Sequence, residues 1–287
     1  MRYKKRITFV LALTFMFSPL FFFGDSVQAR EPEIKPVPII MYHYVTAKPS
    51  RLGKFAISPS EFEQDLAYLQ AEGYETVTMA DLIAFVGKGR KLPEKPIMLT
   101  FDDGDANIER VILPLLERYD MRAVASIVGD FTDTCTEEVR AGTRAPNLTW
   151  DQVKILVDSG RVEIQNHTYS MHKGSGVRQR SGEPDAQYQS RLTADLSKLQ
   201  DKIKEVADWE PTALAYPFGI ISPLSDKIAR DMGLQASFSC YHRVSRIERG
   251  NPDCLFSLGR YVRPHGPQSK SFFEKILAGE QEKENCA

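Results

Sequence analysis

Two adjacent carboxylates close an apolar run in the segment Leu99-Thr100-Phe101-Asp102-Asp103-Gly104. The run from Pro96 to Phe101 reads as a buried strand, and Gly104 ends it. A strand interior does not tolerate two neighbouring anions, because each needs its own partner or water. Side chains alternate along a strand, so Asp102 and Asp103 are expected to point different ways. Carboxylates aimed differently can take different tasks, one holding a metal and the other moving a proton.

The chain has 5 histidines: His43, His167, His172, His242 and His265. Two of them bracket Asn166-His167-Thr168-Tyr169-Ser170-Met171-His172. Five helical steps turn about 500°, which leaves these imidazoles roughly 140° apart around a helix. The pair is therefore not the i, i+4 arrangement of helical zinc sites. It converges only if the chain leaves a strand at His167 and turns back. Val162-Glu163-Ile164 is strand-like, and Gly174 and Gly176 lie beyond, so the sequence permits that turn. Two histidines with one carboxylate make a common facial set for zinc or a similar divalent ion, with positions left for water. The other carboxylate is then left to act as a base on a water whose pKa the ion lowers.

The elements that must position these groups alternate between apolar runs and helical patterns. Strands are expected over 38–43, 75–79, 96–101, 123–129, 162–167, 213–218, 235–240 and 259–262. Ser58-Pro59-Ser60-Glu61 opens a helix to about Ala71 with Phe62, Leu66 and Leu69 on one face. Further helices are expected over 80–86, 108–119, 149–157, 188–206, 224–232 and 269–277. The stretch 130–147 reads as a polar loop and 173–184 as a mobile insertion. Repeated strand–helix units favour a parallel α/β architecture, closed as a barrel or open as a doubly wound sheet. No glycine-rich phosphate loop follows any strand, which weakens nucleotide-binding readings. His43, Asp102-Asp103, His167 and Tyr216-Pro217 all fall at C-terminal strand ends, the face where α/β barrels build active sites.

Thr100-Phe101-Asp102-Asp103-Gly104 and His167-Thr168-Tyr169-Ser170-Met171-His172 resemble the first two motifs of the polysaccharide deacetylases (carbohydrate esterase family 4, NodB homology). Ala215-Tyr216-Pro217-Phe218-Gly219 is similar to a later motif of that family. Ile40-Met41-Tyr42-His43 is similar to the branch with the poly-N-acetylglucosamine deacetylases, and the likeness spans about residues 37–278. The resemblance implies a single-domain distorted (β/α)7 TIM-like barrel. It implies a divalent metal, zinc foremost with cobalt, nickel or iron as alternatives, held by Asp103, His167 and His172. Asp102 matches the general base and His43 the general acid. Tyr216, Pro217 and Phe218 match the segment lining the acetyl pocket, where a backbone N–H would help bind the oxyanion. The implied substrate is an N-acetylglucosamine polysaccharide or oligosaccharide. Asp105 departs from the family pattern, and His265 rivals His43 as the acid. A glycosidase using Asp102 and Asp103 fits poorly, since such pairs flank a bond about 5 Å or more apart. The remaining alternative is a non-catalytic glycan-binding protein on the same barrel.

Arg2, Lys4, Lys5 and Arg6 precede an apolar stretch from Ile7 to Phe23, and Val27-Gln28-Ala29 follows. Residues 1–29 thus read as a cleaved signal peptide, 30–37 as a linker and 38–287 as the catalytic domain, exported to the periplasm, cell surface or medium. Charges nearly balance across the 287 residues, at 37 basic and 38 acidic, which argues against a nucleic-acid partner. Export permits disulfides, and Cys240 with Cys254, flanking a short polar loop, is the best candidate pair among the 4 cysteines. His242 reads as structural.

Overall fold

The computed structural model describes residues 32–143 and 145–277. The expected signal segment and Cys286 lie outside them. The strands are β1 (Ile34–Val37), β2 (Ile39–Tyr42), β3 (Tyr44–Val45), β4 (Ala56–Ile57), β5 (Glu75–Thr76), β6 (Pro96–Phe101), β7 (Ala123–Ile127), β8 (Val162–Asn166), β9 (Ala213–Ala215), β10 (Ala236–Phe238), β11 (Ser245–Glu248) and β12 (Tyr261–Val262). The helices are α1 (Pro59–Ala71), α2 (Met79–Lys88), α3 (Leu113–Arg118), α4 (Gly129–Arg140), α5 (Trp150–Asp158), α6 (Asp185–Ala207), α7 (Pro223–Asp231) and α8 (Ser269–Leu277).

Seven strands pair in parallel in the order β10-β9-β8-β7-β6-β2-β12. A parallel bridge from Phe238 to Leu258, just ahead of β12, closes the ring. This is the distorted (β/α)7 barrel expected from the sequence. The distortion is visible in β12, only 2 residues long, and in β5, which pairs with the first residues of β6, whereas β7 joins β6 only from Thr100.

The strand period sorts side chains into two layers. Ile40, Tyr42, Leu99, Phe101, Ala125 and Ile164 pack outward, in one cluster with Phe62, Leu66, Leu116, Val153 and Phe273 of the helices. Ile39, Met98, Val124, Ala213 and Ala236 belong to a second cluster on the inner face. Continuing each inner series past its strand gives Ile39, Met41, His43 on β2 and Met98, Thr100, Asp102 on β6. On β8 the series Glu163, Gln165, His167 ends likewise. The period that builds the core therefore delivers three polar side chains to one end of the barrel.

Several expectations are corrected. Residues 34–37, the second half of the expected linker, form β1, antiparallel to β11. The stretch 130–147 is not a loop, because α4 occupies its first half. Thr132 and Thr136 there satisfy their hydroxyls on the carbonyls of Val128 and Thr132, four residues back, so a polar composition costs the helix little. Residues 173–184 form turns that are tethered: Arg191 holds Glu183 at 2.7 Å and Tyr188 donates to the Val177 carbonyl at 2.8 Å. No disulfide joins Cys240 to Cys254.

Candidate active site

Asp102 stays in the inward phase of β6 and is buried. Arg260, itself fully buried, reaches it from the segment that closes the barrel. The two guanidinium nitrogens donate to the two carboxylate oxygens, each at 2.8 Å. Burial pushes the Asp102 pKa up, but the Arg260 charge, with His167 and His43, brings it below the ordinary carboxylate value. The carboxylate is ionised and keeps lone pairs beyond the two that Arg260 uses.

Asp103 has φ 69° and Gly104 φ 73°, so the backbone turns left-handed where the strand ends. A non-glycine residue there is uncommon and marks a constraint. The turn lifts Asp103 out of the strand's alternation and aims it across the barrel mouth. Thr168, next to His167, and Phe218 also have positive φ.

Asp103 Oδ1 lies 3.1 Å from His172 Nε2 and 3.5 Å from His167 Nε2. It is buried and has no hydrogen-bond partner. His167 Nδ1 donates to the Ala215 carbonyl at 2.7 Å, which leaves its Nε2 lone pair facing Asp103. A carboxylate oxygen and two imidazole nitrogens within 4.8 Å of one another are a donor set fit for a divalent cation. The orphaned Oδ1 is what that reading accounts for. Tyr44 donates its hydroxyl to Asp103 Oδ2 at 3.0 Å and orients the carboxylate. Burial pulls the His172 pKa down, but the adjacent Asp103 carboxylate leaves it above the ordinary imidazole value.

These groups open into one cleft of about 640 Å³. His43 lines it, with its Nδ1 buried and without a partner. Burial lowers the His43 pKa. His265 does not line the cleft; its Nδ1 sits 2.8 Å from Glu61 at the start of α1. Asp105 turns away, its oxygens accepting the backbone N–H groups of Val45 and Asn107 at 3.1 and 3.0 Å. Tyr216 borders the cleft, but its ring packs with Leu214 and Ile228, and its hydroxyl reaches Asp226 at 3.3 Å. Its N–H donates to the Phe238 carbonyl at 3.2 Å, so it is already committed, and Pro217 has no N–H. Pro217 is buried outside the cleft lining, whereas Phe218 lines it and is half exposed.

Sequence reasoning missed several contributors, Phe55 among them. Arg260 carries no local motif. Tyr44 directly follows His43, and that adjacency was its only signal. Lys54 and His242 also line the cleft, and neither was singled out for it.

Residues 89–237 match the polysaccharide deacetylase family, and the chain belongs to it. The match takes in Asp102, Asp103, His167, His172 and Phe218, but His43 and Arg260 lie outside it. The chain is similar to the poly-β-1,6-N-acetyl-D-glucosamine N-deacetylase of Escherichia coli, 24% identical over 262 residues, covering 83% of this chain and 38% of that one. The chain thus spans well under half the length of that relative. It is similar also to the putative polysaccharide deacetylase YxkH of Bacillus subtilis, 27% identical over 250 residues, covering 86% and 79%. In fold it matches the Streptococcus pyogenes deacetylase PplD solved with acetate, with TM-score 0.70, 20% identity and coverage of 85% and 99%. Among the described residues no helix is long and apolar enough to cross a membrane.

Proposed function

We propose that the protein hydrolyses N-acetyl groups on N-acetylglucosamine units of an extracellular polysaccharide and releases acetate. The observation that carries this reading is one cleft holding both an Asp-His-His donor set with an unpartnered carboxylate oxygen and an ionised carboxylate beside it. The names of the similar proteins support the substrate class.

Asp103, His167 and His172 would hold the ion, with zinc the first candidate for two imidazoles and one carboxylate. When bound, the ion supplies a Lewis acid at the acetamide carbonyl and eases deprotonation of water. Asp102, fixed by Arg260, accepts the proton of the water that attacks the carbonyl carbon. His43, across the barrel mouth, delivers a proton to the departing amine nitrogen. Burial lowers its pKa, so His43 rests mostly neutral and must first take up a proton, for which the one Asp102 draws from water is a source, before giving it to the amine. Phe55 and Phe218, both among the exposed aromatics, flank the cleft with apolar faces that suit a sugar ring. Residues 1–29 would direct export and be removed at Ala29, placing the enzyme where such polymers lie.

The test is acetate release from N-acetylglucosamine oligomers by zinc-loaded protein, with and without chelator. Release that chelator abolishes is the expected result. No acetate from any acetylated oligomer would overturn the reading. A mature N-terminus at Arg30 in exported protein checks the signal.

A further inference from the structure

Past Tyr44 the catalytic cleft adjoins a second cavity, of about 540 Å³, large enough for a sugar residue. Tyr44 lines both: its hydroxyl holds Asp103, while its ring lies 6.0 Å from the Arg51 guanidinium on the far side. Lys48, Arg51 and Arg110 all line this second cavity. Among the described residues none of the three has a carboxylate within ion-pair distance, 4.0 Å. The cavity's one acid, Asp105, is buried and spends its oxygens on the backbone of Val45 and Asn107. Asp105 feels the charges of Arg51 and Arg110, but it is a single acid facing three cations, on a chain whose net charge is −1, so general basicity does not explain them.

The segment carrying two of the cations is held in place. Tyr44 N–H donates to the Phe55 carbonyl at 3.0 Å and Thr46 N–H to the Ile57 carbonyl at 2.9 Å. His265 N–H reaches the Gly53 carbonyl at 3.0 Å. A short turn over Pro49–Arg51 lies between these ties. Lys54, three residues after Arg51, reaches the catalytic cleft itself. A fourth cation thus stands on the cleft side of the same segment.

We infer that this second cavity is a subsite for an acidic substituent, a carboxylate or a phosphate, on a sugar neighbouring the one that is deacetylated. Arg51 and Arg110 offer planar paired donors to such a group, and Lys48 adds a point charge. The glycan backbone comes from the deacetylase reading above; the acid group is read from the cations alone.

The experiment compares zinc-loaded full-length protein on three oligomers of equal length: neutral N-acetylglucosamine, the same with one carboxylate-bearing substituent, and the same with one phosphate. Binding and acetate release are measured separately, at low and high salt. The expected result is about tenfold tighter binding of at least one acidic oligomer, weakened by salt. In the double variant Arg51→Gln/Arg110→Gln that preference collapses, and Lys48→Gln reduces it. All three side chains are exposed, so the variants should fold; circular dichroism checks that. Equal affinity for neutral and acidic oligomers overturns the inference, as does a preference that survives the double variant. Acetate release without acid preference removes the subsite and leaves the deacetylase reading standing. Acid preference in binding without acetate from any oligomer does the reverse.

Discussion

At Asp102 the barrel keeps a buried charge that it can keep only because Arg260 is there. Arg260→Met leaves that carboxylate buried and uncompensated, and the expected loss is about 3–5 kcal/mol in urea unfolding. Adding Asp102→Asn should recover much of it, because the penalty belongs to the orphaned charge. Asp102→Asn alone should lower acetate release about a thousandfold yet leave metal content intact. His172→Ala should lose the metal. Equal metal loss in both would show that the two aspartates have been assigned the wrong way round. Tyr44→Phe removes the hydroxyl on Asp103 Oδ2, and metal affinity by competition with a chelator should fall about tenfold. Different surroundings for Asp102 and Asp103 were legible from strand alternation, but the left-handed turn that brings Asp103 into the same cleft was not. Arg260 was illegible because it lies 158 residues from Asp102, and only ring closure brings them together. Asp105 also needed the fold, since its partners are backbone groups that no side-chain pattern announces.

Among the elements, α1 shows what local chemistry can specify. Ser58 accepts from the Glu61 N–H at 3.2 Å, and Glu61 accepts from the Ser58 N–H at 2.8 Å. That reciprocal cap is written in Ser-Pro-Ser-Glu, as expected. Glu61 also takes the Gly266 N–H at 2.9 Å and faces His265 Nδ1, tying α1 to the segment after β12. Partial burial pushes the Glu61 pKa up, but the Gly266, Ser58 and His265 hydrogen bonds outweigh it and bring it from 4.5 to about 2. A carboxylate with a depressed folded pKa stabilises above its unfolded value and loses that contribution as pH falls through the folded one. Glu61→Gln should therefore cost about 1–2 kcal/mol near neutral pH. The gap to the unaltered protein should close between pH 4.5 and about 2. A gap of constant size down to pH 2 would show that the ionised cap is not what matters. The α4 helix was illegible for the opposite reason: its threonines satisfy themselves within the helix, so its sequence carries turn-like residues without a turn. β1 and β11 escaped notice because they pair only with each other, across a long stretch of intervening chain.

Across the whole molecule, the donor set draws on strand ends that are distant in sequence: Asp103 follows β6, while His167 and His172 follow β8, with β7 between them in the sheet. In the unfolded chain these ligands are dispersed, so an ion that binds them binds the folded barrel alone. Saturation then stabilises the fold by mass action, about 2.7 kcal/mol at a hundredfold excess over Kd. For a domain of this size that raises Tm by about 5–10 °C. The expected outcome is a Tm that climbs with zinc concentration and returns when chelator is added. His172→Ala should abolish the rise, whereas Asp102→Asn should preserve it, because Asp102 answers to Arg260 and not to the ion. A Tm that no divalent ion moves would remove the metal centre from this barrel. A rise that persists in His172→Ala would place the ion elsewhere on the molecule.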